Sequence, residues 1–110
     1  MINRSVLTIK AKEPFVEWIK SLPDPEDNTL EEINFDTTAY LVPDYESDDE
    51  KTEIIEQFFD IIFEEQLNSW WTDKRDWPVH RDIDTFNQWF DVELHSVVFD
   101  LVDMPLEDDE

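Results

Sequence analysis

The sequence predicts an α+β domain, mainly helical, with a small sheet beside the helices. Three observations carry this expectation. Within residues 47–71, Ile55, Phe58, Phe59 and Ile62 fall at i, i+3, i+4 and i+7, one face of an α-helix. Within residues 84–102, Phe86, Phe90, Leu94, Val97, Val98 and Leu101 hold a second helical face, unbroken until Pro105. Two short stretches, 5–10 and 37–42, are rich in β-branched and aromatic residues and predict a two-stranded sheet.

Taken in order, Val6, Leu7, Thr8 and Ile9 make the first strand. Pro14 suits a first helical turn, and Phe15, Trp18, Ile19 and Leu22 follow at helical spacing. This short N-terminal helix ends before Pro23, and residues 22–28, with two prolines and three acids, form a loop. Asn28 or Thr29 caps a helical turn at 29–33. Pro43 stops the second strand. Ser47 with Glu50 has the spacing of a capping box, and Asp48 and Asp49 favour the positive helix N-terminus. In the long helix the core face is expected to bury Phe58, Phe59 and Ile62, widened by Ile54, Ile61, Phe63, Leu67 and Trp70. Residues 72–81 form a loop. From Asp84 or Thr85 the last helix runs to 102, and a strand at 96–102 (SVVFDLV) is the competing reading. Residues 106–110 form an acidic tail.

The chain has 110 residues, suited to a single domain spanning 1–110. Aromatic residues make up 14% of it, too much large apolar surface for a disordered acidic chain. Thirty Asp and Glu face eight Lys and Arg, a formal net charge of -22. Direct binding to nucleic acid or to an anionic membrane is therefore disfavoured, and basic partners are favoured. Cysteine and glycine are both absent. Disulfides, thiolate chemistry and glycine-rich phosphate loops are thereby excluded. Turns must use Asn and Asp where glycine would otherwise stand. The N-terminus carries no long apolar run, and no stretch has the length of a membrane span, so a cytoplasmic protein is expected.

The strongest constellation is an acidic ridge. Asp49, Glu53, Glu56, Asp60 and Glu64, spaced four, three, four and four residues apart, lie opposite the apolar face of the long helix. Neighbours at these spacings sit about 5–6 Å apart, a repeat comparable to phosphates along a nucleic-acid strand. Glu31, Glu32, Asp44, Glu46, Asp48 and Glu50 extend the field. The ridge is either a solvated helix face or a polyanion mimic aimed at a basic surface. Asp44, Glu46, Asp48 and Glu50 alternate like calcium ligands, but the required glycine is missing and Ile55 stands where the bidentate Glu belongs. Asp91 and His95, four apart on the expected last helix, are two ligands without a third. No metal and no cofactor is expected. His80 and His95 provide material for acid–base chemistry, but carboxylate neighbours are unavoidable in so acidic a chain. No catalytic residue is assigned, and a non-enzymatic role is expected.

Trp70, Trp71, Trp77 and Trp89 lie close together in sequence, with Phe86, Phe90, Arg75 and Arg81 among them. They either pin a loop over the helices, aided by cation–π contacts, or form an aromatic patch for self-association or a small apolar ligand. Arg81 is placed to pair with Asp82, Asp84 or a helix-end carboxylate.

Residues 62–71 (IFEEQLNSWW), 76–81 (DWPVHR) and 86–101 (FNQWFDVELHSVVFDL), with the INRS opening at 2–5, resemble a small family of acidic bacterial single-domain proteins. The resemblance covers nearly the whole chain. It implies a bacterial single-domain protein, attaches no activity and carries over no site residue. The functional expectation is an acidic interaction domain for a basic partner, in its sharper form a nucleic-acid (DNA) mimic. The alternative is a compact protein that works through its Trp-rich surface, its charge serving solubility.

Overall fold

The computed structural model describes residues 3–24 and 27–102. In chain order it contains β1 (Ser5–Ala11), α1 (Glu13–Lys20), α2 (Leu30–Ile33), β2 (Ala39–Val42), α3 (Asp48–Trp70), a 3-10 turn (Lys74–Asp76), α4 (Ile83–Trp89) and β3 (Phe90–His95). The α+β class holds. The sheet, however, has three antiparallel strands in the order β2-β1-β3, not two. The acidic tail at 106–110 lies outside the described residues.

Strand β1 alternates strictly. Ser5, Leu7, Ile9 and Ala11 are buried towards the helices, while Val6 and Thr8 are half-buried and Lys10 is exposed on the other side. A period of two is what a sheet with one covered face requires. The partners obey the same parity. Leu7 lies between Tyr40 and Leu94, and Ala11 opposite Phe90, on the covered face. Val6 opposite His95, Thr8 opposite Glu93 and Lys10 opposite Asp91 line the open face.

The expected helix over 84–102 is corrected here. Helix α4 ends at Trp89, and the chain passes into β3 with no loop between them; Phe90 already has extended φ and ψ of -138° and 145°. Phe90, Val92 and Leu94 alternate with Asp91, Glu93 and His95, a period-two signal whose every second step coincides with the helical spacing of four. Tertiary pairing decides between the two. Central strand β1 has an unpaired edge, and six residues of β3 satisfy it. Lys12 fixes the junction: its N–H donates to Trp89 O at 2.8 Å and its Nζ to Asn87 O at 2.9 Å, a cation on helix-end carbonyls. The alternative strand at 96–102 is not formed either, because the last pair with β1 is Val6–His95.

The ends of the other elements follow their sequence signals. Pro14 opens α1, which buries Phe15, Val16, Trp18 and Ile19. Thr29 caps α2 in a complete capping box with Glu32. At α3 the box is only half made. Ser47 Oγ accepts the Glu50 N–H, but the Glu50 carboxylate accepts the N–H of Glu46 rather than of Ser47. No described residue has positive φ. Among the described residues, the glycine-free chain does not substitute Asn or Asp in left-handed turns. It leaves its helices in extended or right-handed conformations, at Ser21, Trp71 and Phe90.

One apolar cluster fills the space between sheet and helices. Phe15, Phe63, Phe86 and Phe90 are its fully buried centre. Phe63 touches the rings of Phe86, Trp89 and Phe90 at centroid distances of 5.8, 5.5 and 5.7 Å. Phe15 meets Phe90 at 5.0 Å and Trp70 at 6.4 Å. Each buried Phe contributes about 1.5–3 kcal/mol through area removed from water, which helps offset the charge repulsion. The expected core face of α3 shifts accordingly. Ile62 is buried, but Phe58 and Phe59 are half-buried and Ile61 is 62% exposed; Phe63 and Leu67 are the fully covered positions.

Candidate functional site

Helix α3 has 23 residues, roughly 35 Å at 1.5 Å per residue. Its buried and half-buried positions include the row Ile54, Phe58, Ile62, Gln66 and Trp70, joined in the second half by the buried Phe63 and Leu67. At about 100° per residue, a row of fourth residues drifts by about 40° at each step. The helix therefore lies obliquely on the core. Asp49, Glu53, Glu56, Asp60 and Glu64 are all exposed. They fall within an arc of roughly 80°, opposite the Ile54–Phe58–Ile62 row, and span roughly 22 Å along the axis. The ridge stops at Glu64 for a structural reason. Leu67 occupies the same angular sector one turn on, and there the sector faces the core.

No cation meets the ridge among the described residues. Lys51, the one basic residue of α3, lies on the other side, 3.6 Å from Asp48 and 5.4 Å from the centre of the Tyr45 ring. Asp60 is bonded only locally, accepting the N–H of Ile61. Several acids expected to extend the field have structural partners instead. Asp44 accepts a bond from the buried Ser5 hydroxyl at 3.2 Å. Glu32 and Glu50 serve the helix starts described above.

The four clustered tryptophans are not one exposed patch. Trp77 is 6% exposed, and its Nε1 donates to Trp71 O at 2.8 Å. Trp71 Nε1 donates to Asp76 Oδ2, and Trp18 Nε1 to Asp76 O, both at 2.9 Å. Lys74 and Arg81 each lie 5.7 Å from the Trp77 ring centre. These contacts pin the 71–81 segment across α1 and α3. Trp70 and Trp89 both pack edge-on against Phe15. Arg81 makes no ion pair with Asp82 or Asp84 among the described residues; it donates to Pro78 O at 2.7 Å. Asp82 caps α4 by accepting the Thr85 N–H, and that bond holds its carboxyl below the ordinary range. The Arg75 guanidinium, donating to both oxygens of Asp73, holds that carboxyl down at about 2.

Asp91 and His95 share the open sheet face rather than a helical one. Four strand residues separate them by about 13 Å, so one ion cannot bind both. Asp91 pairs with Lys12 at 3.5 Å, and His95 Nε2 lies 3.6 Å from Glu93. Among the described residues no group of three or more His, Asp or Glu side chains is placed to hold a metal ion. No helix among them is long and apolar enough to cross a membrane.

A cavity of about 170 Å³ lies under the loop between α2 and β2. Asn34 builds its roof. Its Oδ1 accepts the Ala11 N–H at 2.8 Å and its Nδ2 donates to Ala11 O at 3.0 Å, so one side-chain amide replaces a strand partner at the end of β1. Gln66, from α3, donates Nε2 to Thr38 Oγ1 at 3.0 Å and to the Tyr40 hydroxyl at 2.9 Å, and Tyr40 donates onward to Glu65 at 3.0 Å. Burial pushes the Tyr40 phenol up to about 12; the Glu65 charge adds to this and the Gln66 bond opposes it. These residues come from segments far apart in sequence, and no short motif announces them. The nearest signal is the stretch 34–38 (NFDTT), polar but for the exposed Phe35, between α2 and β2. Comparison with protein-family models, with curated proteins and with solved structures finds no match to this chain.

Proposed function

We propose that the chain is a non-enzymatic acidic interaction protein that binds a basic partner through α3, in the position that partner gives to nucleic acid. One observation carries the reading. Asp49, Glu53, Glu56, Asp60 and Glu64 form an exposed line on a rigid helix, with no cation beside them among the described residues. A solubility surface needs only scattered charge. Here, like charges stand at i, i+3 and i+4, each pair costing a few tenths of a kcal/mol with no local compensation. A basic groove engaging this line would relieve that repulsion while satisfying its own Lys and Arg side chains. The net charge of -22 steers such an encounter over the screening length of about 8 Å at physiological salt.

The test uses a quadruple variant, Glu53→Gln, Glu56→Gln, Asp60→Asn and Glu64→Gln, against the native protein. A basic nucleic-acid-binding partner is captured from bacterial extract and identified. Both proteins then compete with labelled nucleic acid for it at several salt concentrations. The native protein is expected to displace nucleic acid most effectively at low salt. The variant should fold at least as well and compete poorly, mainly through slower association. Equal competition by the variant, or no displacement by the native protein, returns the ridge to a solvated face.

A further inference from the structure

We propose that the cavity beneath the 33–38 loop takes one unbranched alkylammonium chain, the end of a free diamine or a lysine side chain. The inference does not rest on the α3 ridge. It comes from size, lining and hydrogen-bond inventory. The volume of about 170 Å³ holds roughly five or six waters. Ligand pockets for larger molecules run to about 300–1,000 Å³, so a nucleotide or a sugar chain is excluded. Four methylenes and an ammonium fit.

The lining divides into two kinds. Ile9, Ala11, Phe15 and Ile33 give an apolar floor for methylenes, with the half-buried Trp70 ring in the wall. Asp36, Thr37, Thr38, Gln66 and Ser69 supply the polar part, and no Lys or Arg lines the cavity. Three of the four amide protons of Asn34 and Gln66 are already committed. Asn34 Nδ2 is held by Ala11 O, and Gln66 Nε2 by Thr38 and Tyr40. Tyr40 gives its proton to Glu65, so it must accept from Gln66, which fixes the Gln66 amide with Oε1 on the other side. The Ser69 hydroxyl proton goes to Gln66 O at 2.7 Å. The carboxylate of Asp36, Gln66 Oε1 and the Ser69 oxygen remain as acceptors, beside one Asn34 amide proton and the hydroxyls of Thr37 and Thr38, which donate or accept as a ligand requires. Asp36 makes no hydrogen bond or ion pair among the described residues and is exposed, at the mouth. The one charged group of the lining is thus an anion with no cation beside it among the described residues, and it calls for a ligand that brings positive charge and N–H donors. An ammonium has three N–H donors and no acceptor, and an aromatic wall favours it further.

Titration of the ¹⁵N-labelled full chain at physiological salt tests this. The probes are 1,4-diaminobutane, Nα-acetyl-lysine N-methylamide and, as the control lacking the ammonium, Nα-acetyl-norleucine N-methylamide. Saturable shifts confined to the Trp70 indole and the backbone of 33–38 and 66–70 are expected with at least one amine and not with the control. Preference between the two amines identifies the source. Asp36→Asn should weaken binding roughly tenfold or more, the effect of losing a charged hydrogen-bond partner. Glu53→Gln with Glu56→Gln, on the ridge, should leave it unchanged. The proposal is overturned by shifts that spread without saturation over the acidic surface. Equal binding of the norleucine control, failure of both amines to bind, or an Asp36→Asn protein that binds as tightly as the native one would also overturn it.

Discussion

The Asn34 amide clamp makes a prediction that separates a positioned side chain from an ordinary loop residue. Pairing of β1 with β2 ends at Thr8–Ala39, so the Ala11 N–H and C=O have no strand partner on that side. Asn34 supplies both bonds, at 2.8 and 3.0 Å. Asn34→Ala removes them together. Each is part-buried and worth about 0.5–1.5 kcal/mol net, so the loss should be about 1–3 kcal/mol. Against a total stability of about 5–15 kcal/mol for a domain, that is readily measured. Urea unfolding followed by Trp fluorescence should show a lower midpoint with an unchanged slope. Asn34→Asp sharpens the test. It keeps the acceptor for the Ala11 N–H but sets a second acceptor against Ala11 O. At pH 7 it should cost at least as much as the alanine. Facing a carbonyl raises the introduced carboxyl's folded pKa, so the penalty exists above that pKa and fades as pH falls and the carboxyl becomes a donor. A loss below about 0.5 kcal/mol for Asn34→Ala, or an Asn34→Asp protein as stable as the native one at pH 7, would refute the clamp.

Three further outcomes follow from the same geometry. Phe63→Ala, at a fully buried position touching three rings, should cost about 3–5 kcal/mol, whereas the half-buried Phe58→Ala should cost about 1–2 kcal/mol; equal losses in urea unfolding would mean the helix is rotated. The Tyr40 phenol is raised from 10.0 to about 12, so the folded state holds that proton more tightly, stability is full below pH 10 and falls between pH 10 and 12, and Tyr40→Phe should flatten that alkaline limb in melting curves. Salt should raise the melting temperature by screening the net charge of -22, and less so in the quadruple ridge variant; a salt-independent melt would show that repulsion is not a significant term.

Much of the fold was legible because local signals agreed with one another. The alternation of β1, Pro14 at the start of α1, Thr29 before α2 and Ser47 before α3 each stand where the chain turns. The failure at 84–102 is instructive because two periods overlap there. Residues 86, 90 and 94 are apolar under a helical step of four, and 90, 92 and 94 under a strand step of two. Local spacing cannot choose between these readings. The choice is made by β1, whose second edge needs a partner and lies nearly eighty residues away in sequence. The same non-local effect displaced the core face of α3. Ile55, Phe58, Phe59 and Ile62 share a helical face, but the oblique crossing carries burial on to Phe63 and Leu67.

The two candidate sites differ in legibility for the same reason. The ridge is a pattern within one helix, so its residues and its spacing could be read directly. Its end at Glu64 could not, since it depends on which sector of α3 turns inward at Leu67. The cavity is the opposite case. Asn34, Asp36, Thr38, Gln66 and Ser69 come from two segments, and nothing in either marks them as neighbours. What the structure adds is the hydrogen-bond assignment. With both Gln66 amide protons held by Thr38 and Tyr40 and one Asn34 proton held by Ala11 O, the Asp36 carboxylate, unpaired among the described residues, is the one charged group of the lining, and it favours a cation. A charge of -22 gathers cations everywhere on this molecule. Selectivity for one amine over the general cation atmosphere must come from a place where methylenes are covered and acceptors converge, and among the features described, the pocket beneath Asn34 offers both.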